Sequence, residues 1–476
     1  MEFSIPLQPG SPLGRQIFEG VRHAIRSGRL RAGDRLPSTR DLAEQWGVSR
    51  SVVVTAFEQL QAEGYIATRR GSGCFVSPEV AVKKPERPAA AIDLSRYGRH
   101  LSGAPSAGFV FPATRPGRRY DFAYGRGDVA DFPFARWRRL LTKHARQASA
   151  RELDYGPAAG HPSLREAICT HVRRSRGVSC EPSQVIVVNG SQQAIDLVAR
   201  VLVDPGDAVA IENPHYQGTR AILAASGARL CPVDVDEAGL DPSNLPPSAR
   251  ALFLTPSHQF PTGGVLTMAR RLAILDWANR CGAVVVEDDY DGEFRYDGQP
   301  LESLQGLDGG GRVIYVGTFS RTVFAALRIG YLIVPKALVG VFEAAKWLAD
   351  RHTAGLEQRV LAEFIDSGSY ELHLRRVRRS LATRRDALLD AMATAWGSTL
   401  RTTGEGAGAH VVLWLPTGSD ERRAIDTAAS HDVGVYPVSG YFLRHARPGL
   451  LLGYAQMTLP DIREGIRRLA ASLTSR

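Results

Sequence analysis

The sequence predicts a multi-domain chain: a small α+β unit of three helices and a hairpin, then a larger α/β body that closes with an α+β subdomain. Three observations predict it. Helix starts, stops and a turn crowd into residues 1–77. A proline-rich, basic stretch follows over 78–118. From 119 to 476, short and continuously apolar runs alternate with helical stretches. A length of 476 residues exceeds one ordinary domain. With 44% hydrophobic and 23% charged residues, the chain has a globular rather than a disordered composition.

In the first unit, Leu13, Ile17, Val21 and Ala24/Ile25 keep one helical face, and Gly28 and Gly33 break the chain. A second helix follows Pro37, with Ser38 as its N-cap and Leu42, Ala43 and Trp46 inside. Gly47 imposes a tight turn. A third helix is expected from about Ser49 to Glu63 with Val52, Ala56 and Leu60 on one face. Short strands at 65–67 and 74–76 flank a turn at Arg70 and Gly71. Three helices with a tight turn before the third, followed by a hairpin, describe a winged helix-turn-helix. Such a unit sets its third helix in the DNA major groove. Ser49, Arg50, Ser51 and Thr55 lie at the N-terminal end of that helix, where free amides and the helix dipole favour phosphate. Arg50 has the fork geometry for guanine. Arg35, Ser38, Thr39 and Arg40 surround the start of the second helix and suit backbone contacts.

Charge agrees with a polyanion partner. The net charge is +10. Residues 1–120 hold 18 Lys+Arg against 10 Asp+Glu, whereas residues 121–476 hold 41 against 39. Residues 78–118 combine six prolines with Lys83, Lys84, Arg87, Arg96 and Arg99, and read as a semi-extended solvated tether. Five scattered cysteines, with no CxxC pair and no zinc spacing, read as reduced thiols of a cytoplasmic protein without a metal site. The first ten residues lack a signal-peptide apolar run, and no stretch approaches the ~18 apolar residues of a membrane span.

In the body, apolar runs at 184–188, 208–211, 251–255, 283–286, 313–316 and 331–334 suit strands buried on both faces, the mark of a parallel sheet with crossover helices. After about 340 come Arg-rich helices near 371–396 and runs at 411–415, 434–437 and 450–454, which read as a smaller α+β subdomain. Asn189-Gly190-Ser191-Gln192 follows a strand and opens a helix, an arrangement suited to an anion. Thr318, Ser320 and Arg328 add hydroxyls and a cation near another strand end, fitting a phosphomonoester. Glu287, Asp288, Asp289 and Tyr290 follow a buried strand. A carboxylate there suits a protonated pyridine nitrogen, and Tyr290 and Tyr216 suit a ring oxygen and a ring face. Acid clusters after strands also bind magnesium, so this stretch alone supports either reading.

Two resemblances refine these readings. The text "GRLRAGDRLPSTRDLAEQWGVSRSVVVTAFEQLQAEGYIATRRGSGCFV" resembles the GntR-type winged helix over about residues 11–77. It implies DNA contacts at Arg40, Ser49, Arg50, Ser51 and the Arg70–Gly71 wing, and Val54 stands where some members carry a further Arg. The segments "LDYGPAAGHPSLREAI", "GSQQAIDLVARVLVDPGD", "ENPHYQGTR", "TPSHQFPTGGVLT", "VVVEDDYDGEF" and "YVGTFSRTVFAALRIGYLIVP" resemble the MocR subgroup, whose body looks like a fold-type-I aminotransferase. The resemblance implies a pyridoxal phosphate pocket. Gly190, Ser191, Gln192, Thr318, Ser320 and Arg328 would stand at the phosphate, Asp288 at the ring nitrogen, Tyr290 at the ring oxygen and Tyr216 on the ring face.

The chain departs from that pattern at one decisive place. The family writes GTFSK and its Lys forms the Schiff base; this chain has Arg321. A lysine amine can lose its proton and attack a carbonyl, whereas a guanidinium stays protonated and delocalised. No internal aldimine is therefore expected. Ala325 replaces a common proline, and Leu451 stands where aminotransferases often place an Arg for the substrate carboxylate. The expected function is a transcription regulator, a pseudoenzyme that senses pyridoxal phosphate held non-covalently, a preformed imine or another small-molecule effector. Its partners would be a double-stranded DNA operator and, by resemblance, a second copy in a homodimer. The alternatives are a pyridoxal-phosphate-dependent aminotransferase with an accessory DNA-binding domain, and a scaffolding protein with no effector.

Overall fold

The computed structural model describes residues 4–8, 10–69, 71–80, 93–102, 118–125, 127–296, 301–397 and 399–474. Two compact units divide the chain, Met1–Asp93 and Leu94–Arg476. Among the described residues no helix is long and apolar enough to cross a membrane.

The first unit runs α1 (Leu13–Arg26), β1 (Arg35–Leu36), α2 (Thr39–Trp46), α3 (Arg50–Ala62), β2 (Ile66–Arg69) and β3 (Gly73–Val76). Ser38 accepts a hydrogen bond from the Asp41 amide at 3.2 Å and so caps α2. Gly47 ends α2 at φ +64°, a conformation that favours glycine, and α3 starts three residues later. The core-facing stripe of α3 is Val53, Ala56, Phe57 and Leu60, one position on from the expected Val52, because Phe57 and Val53 share a face at a spacing of four. The three strands order as β1-β3-β2. At two residues β1 is too short to show a period-2 pattern, and the sequence reading missed it.

The expected tether is not uniformly extended. Pro78–Val80 forms a 3₁₀ turn and Arg96–Ser102 forms helix α4. The Ser95 hydroxyl accepts from the Gly98 amide and nucleates that turn, a local signal that the surrounding prolines masked.

The second unit continues with β4 (Tyr120–Asp121), α5 (Phe134–Gln147), α6 (Pro162–Arg176), β5 (Val185–Val188), α7 (Ser191–Leu202), β6 (Ala208–Asn213), α8 (Gln217–Ala225), β7 (Arg229–Asp236), β8 (Gly239–Leu240), β9 (Ala251–Leu254), α9 (Met268–Cys281), β10 (Val284–Asp289), α10 (Leu304–Leu307), β11 (Val313–Thr318), β12 (Gly330–Ile333), α11 (Val339–Asp350), α12 (Gly355–Asp366) and α13 (Ser369–Trp396). It closes with β13 (Arg401–Thr403), β14 (His410–Trp414), α14 (Glu421–Ser430), β15 (Val433–Gly434), β16 (Tyr436–Pro437), β17 (Gly449–Gly453) and α15 (Leu459–Thr474).

Eight strands form the central sheet, ordered β5-β12-β11-β10-β9-β6-β7-β8. Its middle is parallel, as expected, from β11 through β7. The sheet is mixed rather than wholly parallel, because β12 runs antiparallel to both β11 and β5. Apolar runs reveal burial but not direction, so the sequence did not carry this. The half-exposed, polar β7 escaped the same signal. The subdomain sheet orders β13-β14-β17-β16, and β15 pairs with β4, so the chain entering the second unit joins its C-terminal layer. In open sheets of this kind ligands bind beyond the carboxyl ends of the strands. The ends of β10 and β11 and the start of α7 supply the groups described next.

Candidate functional site

On the first unit, Arg35, Ser38, Arg40, Ser49, Arg50, Ser51, Thr55 and Gly71 are exposed and Thr39 is partly so. Arg70 lies outside the described residues. Ser49 precedes α3 and its hydroxyl lies 3.0 Å from that of Ser51, while the Thr55 hydroxyl donates to the Ser51 carbonyl. Arg35, on β1, reaches the wing: a side chain at Gly73 would meet its guanidinium at 3.3 Å. Arg35, Ser38 and Thr39 share one groove of about 340 Å³ with Val54 and Glu58 of α3 and Thr68 and Gly73 of the wing. Of the expected contact residues, Arg35, Ser38 and Thr39 line this groove, Thr55 lines a separate one with Arg15 and Phe18, and Arg40, Ser49, Arg50, Ser51 and Gly71 are exposed outside both.

In the second unit, pairing along β10 sorts the acid cluster by face. Glu287 accepts from the amides of Leu304 and Gln305, and Asp289 accepts from Arg176 and from the Tyr315 hydroxyl. Both oxygens of Glu287 and the Oδ2 of Asp289 are tied into the packing of the sheet, while Asp289 Oδ1 is buried without a hydrogen-bond partner among the described residues. Asp288 points the other way. Its Oδ1 is buried and has no hydrogen-bond partner among the described residues. Burial, with Asp289 and Asp291 nearby, pushes its carboxyl up to about 7, against a partial pull from Arg321.

Above this floor stand Tyr290, Tyr216 and Arg321. The Arg321 guanidinium lies over the Tyr290 ring, 5.7 Å from its centroid. The Tyr290 hydroxyl donates to the His258 carbonyl at 3.1 Å, beside the His258 Nδ1 that contacts Asp291 at 2.8 Å. Tyr216 and Tyr290 both meet Phe260 edge-on at 5.9 Å. Burial raises the Tyr216 phenol, which also feels the charges of Arg321, Asp288 and Arg328. Four of the expected residues therefore surround one space.

Several residues of the expected anion site come together at the start of α7. Gly190 precedes the helix at φ +88°, and a Cβ there would meet the Arg328 guanidinium at 2.7 Å. That guanidinium donates to the Asn189 carbonyl at 2.7 Å, and Arg328 itself holds φ +52°. Gln192 and Tyr216 converge on Gly218, where a Cβ would strike both. Thr318 ends β11 and its hydroxyl accepts from the Ser320 amide.

The family described as "Aminotransferase class I and II" matches residues 124–469, and "Bacterial regulatory proteins, gntR family" matches residues 13–76. The chain is 39% identical over 468 residues to the probable rhizopine catabolism regulatory protein MocR of Rhizobium meliloti, covering 97% of this chain and 94% of that protein. The chain belongs to the MocR type of GntR-family transcription regulators. It is also 35% identical to the HTH-type transcriptional regulator TauR of Rhodobacter capsulatus, covering 98% of each chain. Among solved structures, its second unit resembles the kynurenine aminotransferase of Pyrococcus horikoshii (26% identity, TM-score 0.71) and the α-aminoadipate aminotransferase LysN of Thermus thermophilus (29%, TM-score 0.69). Each match spans 80% of this chain and 95% of that one.

Within the MocR-type body, sequence reasoning missed several residues that shape the pocket. His258, Phe260 and Asp291 lie in quoted motifs but carried no assigned role, and His410 and Tyr124 lie far away in sequence. His258, Asp291 and His410 gather into one buried group with ligand-type atoms within 4.8 Å of one another. The His258–Asp291 and His410–Pro261 hydrogen bonds account for their placement. Leu451 is fully buried on β17, packed in the cluster of Tyr124, Phe260, Tyr436 and Tyr441, and brings no cation.

Proposed function

We propose that this MocR-type chain is a transcription regulator whose body binds pyridoxal phosphate, or a related phosphorylated pyridine, without covalent attachment and without transamination. The observation that carries the reading is Asp288: a buried carboxyl oxygen without a partner, at the floor of a pocket that holds Arg321 in place of an amine. A protonated ring nitrogen would satisfy that oxygen, Gly190, Ser191, Gln192, Ser320 and Arg328 would hold the phosphate, and Tyr216 and Tyr290 would hold the ring face and oxygen. When bound, pyridoxal phosphate supplies an electrophilic carbonyl and an electron-withdrawing ring. Among the described residues no lysine stands free to match it. Its second unit has three lysines, and each is paired elsewhere: Lys143 with Glu363, Lys336 with Glu181 and the fully buried Lys346 with Asp350. Arg321 keeps its proton and orients rather than attacks.

The exposed Ser49–Thr55 segment and Arg40 supply operator contacts, phosphate first and base edges through Arg50. A second copy is proposed to cover an apolar patch on the body, where Leu153, Tyr155, Trp347 and Leu348 are 70%, 71%, 52% and 77% exposed and Arg351 bridges the Tyr155 and Trp347 rings. Two heads would then read paired half-sites in the cytoplasm.

The test is a gel shift with the promoter region of the chain's own gene, with and without pyridoxal phosphate, joined to borohydride treatment of the mixture. We expect DNA binding that responds to the ligand, no pyridoxyl group left on the wild-type chain, and a pyridoxyl group retained by Arg321→Lys. Failure to bind DNA at moderate salt overturns the regulator reading. A reduced adduct on the wild-type chain overturns the non-covalent one.

A further inference from the structure

Arg321 stands in an unusual electrostatic position. It is half-buried, its charge acts on Tyr124, Tyr216, Asp288, Tyr290 and His410, and its guanidinium rests on the Tyr290 ring. Among the described residues no carboxylate pairs with it within 4 Å. The acids around it are committed elsewhere or aimed elsewhere. Asp128 and Asp291 line the same small cleft as Arg321, but Asp128 pairs with Arg384 at 2.5 Å and Asp291 with His258 at 2.8 Å. Asp288 keeps its free oxygen for a different donor. Burial raises the phenols of Tyr124, Tyr216 and Tyr290, and burial, with His258 and Arg321 close by, holds His410 well below its ordinary range. Arg321 thus contributes a positive charge with five planar N–H donors and, among the described residues, no carboxylate in direct ion-pair contact. A half-buried unpaired guanidinium is costly, and a ligand oxyanion would remove that cost.

We infer that the pocket selects a ligand with two anionic groups: a phosphomonoester at Gly190–Arg328 and a carboxylate on the ring that forks onto Arg321. This rests on the pyridine-phosphate reading above and adds the identity of the group facing Arg321. The ligand class is a phosphorylated hydroxypyridine carrying a carboxylate, the oxidised counterpart of an aldehyde or an amine at the same ring carbon. A carboxylate accepts two parallel N–H bonds from Arg321. An aldehyde is neutral and accepts more weakly, and a protonated amine is repelled. Leu451, packed among Tyr124, Phe260, Tyr436 and Tyr441, supplies no guanidinium from its own position.

The experiment is isothermal titration of the full-length protein with three probes: pyridoxal 5′-phosphate, pyridoxamine 5′-phosphate and 4-pyridoxic acid 5′-phosphate. We expect the acid to bind at least about tenfold more tightly than the amine, with the aldehyde between them. Arg321→Met should erase the acid's advantage, whereas Arg328→Ala should weaken all three by a common factor. The wild-type ranking needs no variant, so a variant that fails to fold leaves the test intact. Equal binding of acid and amine, or tighter binding of the amine, overturns this inference while leaving the phosphate reading in place. Absence of binding by all three overturns both.

Discussion

Arg50 and Arg321 are the same side chain in opposite settings. Arg50 sits at the first residue of α3, exposed, on a unit whose core is one small cluster around Ile17, Val53 and Leu60. Arg321 follows β11 in a body with several large cores, half-buried between an aromatic ring and a carboxyl. In the first unit the groups proposed to meet DNA are exposed and contribute little to folding, so recognition and stability would separate. In the second, Tyr216, Asp288 and Tyr290 are largely enclosed and burial raises all three, so the proposed binding and stability would share residues. A small domain has little core to spare and places its chemistry outside it. A large sheet can enclose a polar pocket because its surroundings over-determine the backbone there.

The separation in the first unit can be broken from the inside. Leu60→Ala removes a fully buried side chain from the single core cluster of the first unit and should cost about 2–5 kcal/mol. Calorimetry should show the first unit melting earlier while the body's transition stays, and DNA binding should fall with it. A single unchanged transition would mean that the two units do not unfold separately.

Arg50→Ala sharpens the same contrast from the outside. It should weaken operator binding by about 1–3 kcal/mol and relax preference at one base position. Melting should not move, because the side chain is exposed. A uniform loss over all sequences would reassign Arg50 to the phosphate backbone.

Asp288→Asn probes the body, with a pH signature. The Asp288 carboxyl has an ordinary value of 3.8 and is held up near 7 in the fold. A raised carboxyl favours the protonated form, so its relative stabilisation is present at low pH and is lost as pH rises through about 7. The neutral Asn should therefore raise the ligand-free unfolding free energy, and the melting point with it, by on the order of 1–2 kcal/mol at about pH 8 and by less at about pH 5. It should also weaken pyridoxal phosphate binding, since an amide neither carries charge nor pairs with a protonated nitrogen as strongly. A pH-independent change in melting would remove Asp288 from the buried, charge-crowded role.

Much of this was legible in sequence because the signals are local. The Ser38 cap, the Gly47 turn and the stripe along α3 depend on residues within one or two turns of each other, and each appears near its expected place. The Gly190–Gln192 cradle is also a local feature, a glycine that only a left-handed backbone and a close guanidinium require. Resemblance added the assignment of Asp288 among three neighbouring acids. The physical reason offered for that assignment, alternation along β10 with Glu287 and the Oδ2 of Asp289 bonded on the other face, needed the neighbouring strands and helices.

By itself the sequence determined the order of the units, the helices of the first, the buried strands of the second, and the presence of Arg321 in the segment that follows β11. Those follow from residue type and short-range periodicity. Tertiary structure decided which groups face one another: β12 reversed in the sheet, His410 brought beside His258, Asp288 left with a free oxygen, and Arg321 left without a carboxylate among the described residues. Pairing and desolvation depend on segments tens to hundreds of residues apart, and the charge state of a pocket is a property of all of them together.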